Sequence, residues 1–91
     1  MISSTKVFLR IGGETMSEQE WLEIFADNLV DIMKEYRITQ SELAEDSGIS
    51  ESTISKYIHK KQLPGIKAII NLAYALDIDV NDFIDFGDRI V

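Results

Sequence analysis

Side chains that could do acid–base, nucleophilic or metal chemistry are scarce in this sequence. It contains no cysteine, and His59 is its one histidine. A lone histidine needs a nucleophile or a second acid–base group as a companion, and no such arrangement is evident. The acidic run from Asp77 begins like a calcium loop, but its sixth position is Asp82, where that loop needs glycine. We therefore predict no catalytic residue, no metal site and no cofactor, and an enzyme is not expected.

Basic residues, in contrast, are concentrated in one short stretch. The formal net charge of the chain is −7, which taken alone argues against a nucleic-acid partner. Residues 52–67, however, contain His59 and four lysines but no acid. The lysines are Lys56, Lys60, Lys61 and Lys67. A cationic patch on an acidic body is suited to binding phosphates, because it releases their condensed counterions.

The elements that position this patch are predicted to be helices. Ser17 with Glu20, and Thr39 with Glu42, have capping-box spacing and so predict two helix starts. The first helix would be amphipathic and about 18 residues long. Its aromatic residues are expected in the core rather than on a partner-binding stripe. They are Trp21, Phe25 and Tyr36.

Residues 40–59 have the pattern of two short helices joined by a turn. Ala44 must be small because the second of these helices crosses over it, and Gly48 supplies a positive φ at the turn. Ser50 is placed to cap the second helix, which has one apolar and one polar side. The apolar side carries Ile54, Tyr57 and Ile58, and the polar side carries Glu51, Ser52, Ser55, Lys56 and His59. This is a helix-turn-helix unit, whose second helix can enter a groove about 12 Å wide.

Two further helices and two terminal segments complete the prediction. A fourth helix over residues 66–76 is almost wholly apolar and is expected to be central, and a short fifth helix covers residues 80–84. Alternation over residues 6–11 predicts a short strand that would pair with the tail at 86–91. The alternative is a frayed N-terminal arm. We divide the chain into an N-terminal extension, 1–16, and a helix-turn-helix domain, 17–91.

Residues 22–84 resemble the phage-repressor and Cro (XRE) type of helix-turn-helix domain. The matching positions are Thr39-Gln40-x-x-Leu43-Ala44, Gly48-Ile49-Ser50, Ser52-Thr53-Ile54-Ser55, Pro64, Leu72-Ala73-x-Ala75-Leu76 and Val80-Asn81-Asp82-Phe83. Their spacing holds through all five helices without an insertion. The resemblance implies an all-α, five-helix lambda repressor-like DNA-binding domain. It also implies a sequence-specific transcriptional regulator, with repression as the expected direction of control.

The resemblance implies a DNA contact for each of ten residues. Gln40 would anchor its helix to a phosphate. The residues that would face base edges are Glu51, Ser52 and Lys56. Those that would lie beside the DNA backbone are Ser50, Thr53 and Ser55. Further phosphate contacts would come from His59, Lys60 and Lys61.

Three of these assignments have alternatives, and one segment has no match. Glu51 would accept from a cytosine amino group, or it is simply the first-turn acid that the helix dipole favours. His59 would contact phosphate, or it is a solvated residue that interacts with the C-terminal dipole of its helix. The position of Lys60 is often glycine in relatives, so the loop here would differ. Residues 1–16 have no counterpart in the minimal domain.

The partner expected from this pattern is double-stranded DNA with a near-palindromic operator, bound by a homodimer that DNA helps to assemble. Two surfaces are candidates for the dimer contact: the 80–84 helix with the tail, and the strand at 6–11. No apolar run of 18 residues or signal peptide is evident, and the lack of cysteine fits the cytoplasm. A cytoplasmic, nucleoid-associated protein of a prokaryote or phage is expected. The alternative function is an antitoxin-like or anti-repressor-like protein-interaction module with weak DNA affinity, which the acidic total favours.

Overall fold

The computed structural model describes residues 16–84, which form four α-helices and a 3-10 helix. The α-helices are α1 (Glu18–Tyr36), α2 (Gln40–Ser47), α3 (Glu51–Ile58) and α4 (Ile66–Leu76), and the 3-10 helix is Val80–Ile84. The predicted all-α fold is confirmed, with no strand in this range. The strand predicted at 6–11 and the tail at 86–91 lie outside the described residues. No helix within 16–84 is long and apolar enough to cross a membrane.

Both predicted capping boxes are present. The Ser17 hydroxyl accepts the Glu20 N–H at 3.2 Å, and the Glu20 carboxylate accepts the Ser17 N–H at 2.8 Å. At the start of α2, Thr39 and Glu42 exchange the same two bonds at 3.1 and 2.8 Å. Each box satisfies two backbone N–H groups that a helix start leaves without a partner, so the chain enters both helices at a defined residue.

The core lies where all five elements meet. α1 packs on α3 and on the 3-10 helix, whereas α2 packs on α3 and α4. The largest side chains with no exposed surface are Leu29, Leu43, Ile54, Leu72 and Phe83, one from each element. Phe25 meets Tyr57 edge-on, with ring centroids 5.9 Å apart, and its ring lies 5.2 Å from that of Phe83. Since burial of an aliphatic or aromatic side chain stabilises the fold by about 1.5–3 kcal/mol, this cluster holds the elements in one arrangement.

α4 is not central, although its composition predicts that it is. Its buried side consists of Leu72, Ala73 and Leu76, but Ile66 and Ile70 on the other side are 76% and 53% exposed. The neighbours of α4 among the described elements, α2 and the 3-10 helix, cover one side only. The prediction was wrong because an apolar composition does not show how many neighbours a helix has. Similarly, Phe25 is in the core as predicted, whereas Tyr36 is 49% exposed.

The fifth helix is a single turn of 3-10 helix rather than an α-helix. The Asp79 carboxylate accepts the Asn81 N–H at 3.0 Å at its start, and the Asn28 amide donates to the Phe83 carbonyl at 2.8 Å near its end. Phe83 itself is fully buried. It therefore cannot contribute to the exposed dimer surface that the sequence suggested for residues 80–84.

The capping box of α2 makes the stability of the fold depend on pH. The backbone N–H and the hydroxyl of Thr39 both donate to the Glu42 carboxylate, and these bonds lower the pKa of Glu42 from its usual 4.5. A carboxylate whose pKa is lowered by folding stabilises the protein above 4.5, and this contribution is lost as the pH falls through the lowered pKa. We expect Glu42→Gln to lower the melting temperature at pH 7, and the gap to wild type to close in acid.

Thermal unfolding of both proteins between pH 7 and pH 3 measures this gap. Glu45→Gln is the matched control, because it removes a charge from the same helix at an exposed position outside the cap. A gap of constant size across this pH range would contradict the assigned role of Glu42.

Candidate nucleic-acid interface

The turn between α2 and α3 has the geometry that the sequence predicts. Gly48 has φ 75°, and its N–H donates to the Ala44 carbonyl at 3.0 Å, which ends α2. Ala44 and Ile49, on either side of this glycine, are half-buried against the core. The left-handed residue reverses the chain within three positions, so α3 begins at Glu51 close to the end of α2.

α3 has one buried and one exposed side. Ile54 is fully buried, Tyr57 is 4% exposed, and Ile58 is half-buried. Burial raises the pKa of the Tyr57 hydroxyl. The predicted contact residues that lie exposed on the opposite side or at the end of the helix are Glu51, Ser52, Lys56 and His59. The side chains free to meet another molecule are therefore the polar ones, because the apolar side of α3 is used in the core.

The remaining predicted residues of this unit lie at helix starts or on the flank of α3. Gln40 is the first residue of α2 and is half-buried. Ser50 caps α3: its hydroxyl accepts the Thr53 N–H at 3.1 Å and donates to the Thr53 hydroxyl at 2.8 Å. Thr53 and Ser55 are half-buried. The N-terminal turns of α2 and α3 have backbone N–H groups of the kind that bind phosphate at helix starts.

The ring of His59 lies against the end of its own helix. Nδ1 is 2.8 Å from the Ser55 carbonyl oxygen and 3.3 Å from the Ser55 hydroxyl. A carbonyl oxygen can only accept, so Nδ1 carries the proton and Nε2 is directed elsewhere. This placement fits the helix-terminus interpretation of His59. Glu51 is likewise a first-turn acid at the start of α3, which fits its dipole interpretation.

Lys60 and Lys61 form the loop that follows α3, and both are exposed. The Lys60 N–H donates to the Tyr57 carbonyl at 3.1 Å and the Lys61 N–H donates to the Lys56 carbonyl at 2.8 Å. These two bonds make a Schellman motif, in which the residue at the position of Lys60 must be left-handed. Its φ is 61°. The Lys60 ammonium also lies 3.3 Å from the carboxylate of Asp27 on α1.

Comparison with known proteins identifies the family. A family model described as a Cro/C1-type HTH DNA-binding domain matches residues 28–88, which is more than half of the chain and includes α2, α3 and α4. The chain belongs to this family. The resemblance inferred from the sequence is thereby confirmed, and membership supports a DNA-binding regulator in a family that is typically not enzymatic. No curated protein and no solved structure matches the chain.

In this Cro/C1-type domain, the backbone at Lys60 has the conformation that glycine adopts most easily. A left-handed conformation is strained for any residue with a Cβ atom, and glycine avoids that strain. Arg37 and Asp77 end α1 and α4 with φ 56° in the same way. Within residues 16–84, three non-glycine residues therefore accept this strain, and at position 60 this conformation places a lysine beside the predicted DNA-reading helix.

Sequence reasoning did not identify two cations near the start of α2. Lys34 and Arg37, at the end of α1, line an open groove of about 400 Å³ together with Gln40. The apolar part of the groove comes from residues that include Met33 and Ile58. Arg37 is only three residues from Gln40 in the sequence, but no local pattern shows that Ile58 of α3 lines the same groove.

The described part of the domain contains no candidate metal site. No group of three or more His, Asp or Glu side chains within residues 16–84 could hold a metal ion. This finding extends only to those residues, and the sequence-based expectation of no metal and no cofactor stays a prediction for the whole chain.

The effect of the left-handed backbone at position 60 can be measured separately from the effect of the lysine charge. Lys60→Gly and Lys60→Ala both remove the ammonium and its pairing with Asp27, but only glycine relieves the left-handed backbone. We expect Lys60→Gly to be more stable than Lys60→Ala by about 1 kcal/mol, which is several degrees in melting temperature.

If Lys60 contacts phosphate as predicted, both variants should lower the slope of log affinity against log salt for duplex DNA by about 1, because each removes that lysine. Calorimetry and titrations over a range of salt concentrations measure the two effects. Equal stability of the two variants would contradict the left-handed conformation, and an unchanged salt slope would show that Lys60 does not contact phosphate.

Proposed function

We propose that this protein is a sequence-specific transcriptional repressor that reads the major groove with the helix at residues 51–59, which is α3 with its C-cap residue His59. The observation that carries the proposal is the division of α3 into an apolar side in the core and an exposed polar side with Lys56 and Ser52. Side chains of these types form hydrogen bonds with base edges. The adjoining loop supplies Lys60 and Lys61 for phosphates.

Different residues would position the protein on the duplex and recognise its bases. Gln40, at the start of α2, would anchor the domain to a phosphate, and the nearby Lys34 and Arg37 add positive charge there. Contacts of this kind position a protein on the duplex but carry no sequence information. Ser52 and Lys56 would read bases, with Glu51 either reading a cytosine or serving only the helix dipole. Ser50, Thr53 and Ser55 would lie beside the backbone.

The bound form proposed is a homodimer on a near-palindromic operator. One helix-turn-helix unit contacts only a few base pairs, so useful specificity requires two half-sites one helical turn apart, about 34 Å. Repression, rather than activation, is proposed from the family resemblance, since no residue here determines the direction of control. A promoter fused to a reporter downstream of the selected site should lose expression when the protein is present.

Selection of bound sequences from random duplex DNA tests the reading helix. Wild type should enrich one site. The double variant Ser52→Ala with Lys56→Ala should change the preference at one or two base pairs, worth about 1–3 kcal/mol each. Gln40→Ala should instead weaken binding to all sequences alike, because its contact is with phosphate.

Asp82→Lys is the matched surface control, since Asp82 is exposed on the 3-10 helix, which does not pack on α3. It should leave the preferred site unchanged. If the double variant selects the same site as wild type, α3 is not the reading helix. If wild type enriches no site, and its binding disappears as salt rises, the protein-interaction alternative is favoured.

A further inference from the structure

The outer side of α4 carries a continuous apolar stripe. Ile66, Ile70 and Tyr74 follow one another at intervals of four residues, so they lie on one side of the helix. They are 76%, 53% and 89% exposed. Leu63, just before the helix, is 43% exposed. No side chain within residues 16–84 covers this stripe, because the described neighbours of α4 lie on the side of Leu72 and Leu76.

A patch of this kind is more than scattered surface hydrophobicity. Contiguous exposed apolar patches on monomers seldom exceed about 300–600 Å², and larger ones mark interaction sites. Four large apolar side chains that are each 43% or more exposed form a patch of about this size, and the largest patch of a monomer is often functional. It is also distinct from the reading surface, since α4 does not pack on α3. The stripe is therefore a second surface of the molecule. Because it is apolar, its partner would be another apolar surface rather than DNA.

Charges at the two ends of the stripe indicate what that partner is. Lys67 lies in the first turn of α4 and Asp77 at its C-cap, so each has the sign that its own helix dipole disfavours. Neither makes an ion pair with any residue in the described part of the chain. A second α4 lying antiparallel would bring the C-terminal end of one helix beside the N-terminal end of the other. With the two copies related about Ile70, Lys67 of one copy and Asp77 of the other are about 6 Å out of register along the helix axis, an offset that a lysine side chain can span.

The spacing of the stripe has the same symmetry. Ile66 and Tyr74 are each four residues from Ile70, so a two-fold axis through Ile70 places Ile66 against Tyr74 twice and Ile70 against itself. We propose that α4 is the self-association surface of this protein, with its outer face packed antiparallel on α4 of a second copy. This inference rests on the proposed function, because it identifies the contact between the two copies on one operator.

The size of the stripe determines how strong this contact is. Two copies of it would bury on the order of 1,000 Å², below the roughly 1,600 Å² of a standard stable interface. The free protein is therefore a weak dimer. Two adjacent half-sites raise the effective concentration of one copy beside the other, and the same small interface then produces cooperative binding.

Cooperativity on DNA distinguishes this surface from the one at the 3-10 helix. Ile70→Asp places a charge at the centre of the stripe, whereas the control Ile84→Asp makes the same change at a residue that is 39% exposed on the 3-10 helix. Each protein is titrated onto a duplex with the full operator and onto a duplex with a single half-site, and sedimentation measures the binding. For Ile70→Asp we expect unchanged half-site affinity and a loss of about 10²-fold in full-site affinity. Ile84→Asp should resemble wild type.

A charge-mixing experiment tests the antiparallel geometry directly. Because Ile70 would face itself across the axis, Ile70→Asp and Ile70→Lys should each fail to associate alone. An equimolar mixture should form a heterodimer at high protein concentration without DNA. Absence of association in the mixture, or loss of cooperativity in Ile84→Asp instead of Ile70→Asp, would overturn the proposal.

Failure of the proposed DNA binding and failure of the proposed α4 interface would give different results. If wild type binds neither half-site nor full site, the proposed function is wrong, and the mixture without DNA still decides whether α4 faces pair. If wild type binds the half-site but Ile70→Asp keeps full-site cooperativity, DNA reading stands and the α4 interface is wrong.

Discussion

Burial of the apolar side of α3 is the constraint on which the rest of the structure depends. Ile54 and Tyr57 are inserted between α1 and α2, and this orientation leaves the polar side of the helix facing outward. The orientation in turn requires that α3 begin immediately after α2, which the left-handed Gly48 permits. The core and the candidate DNA surface are therefore two sides of one eight-residue helix. A change that loosens its packing would also displace the side chains that we propose read DNA.

The net charge of −7 is compatible with membership of a DNA-binding family because the acidic and basic residues lie on different surfaces of the domain. The outer side of α1 is rich in acids, and the loop after α3 is basic. In the described part of the chain, Asp27 of α1 pairs with Lys60 of this loop at 3.3 Å. Both side chains are more than a third exposed, so this ion pair contributes little to stability. Its main consequence is local: it holds the Lys60 ammonium near α1, beside the exposed side of α3.

The strained helix ends and the exposed side of α4 show where the domain departs from the most stable arrangement of its own chain. Lys60 adopts a conformation better suited to glycine, and Ile66 and Tyr74 remain in water although they are large side chains that favour burial. In an isolated domain both features cost stability. Each is understandable when the functional unit is larger than one chain, with phosphate beside the loop and a second copy beside α4.

The sequence by itself determined the elements and the family, because these depend on local rules. Capping boxes, a glycine that must be left-handed and the spacing of apolar residues act over three or four positions, so the starts of α1, α2 and α3 and the helix-turn-helix unit could be predicted. The polar face of α3 followed from the same periodicity. Relations between distant residues could not be obtained in this way.

Only the tertiary structure decided which apolar faces find a neighbour. Leu72 and Ile70 are both aliphatic residues of α4, yet one is fully buried and the other is half in water, because α2 and the 3-10 helix cover one side alone. Phe83 belongs to the 80–84 helix that was expected to offer a dimer surface, but it fills the core because the short helix turns it toward Phe25. The pairing of Asp27 with Lys60 likewise depends on packing between separate helices. Burial and long-range pairing belong to the whole fold, and no local pattern contains them.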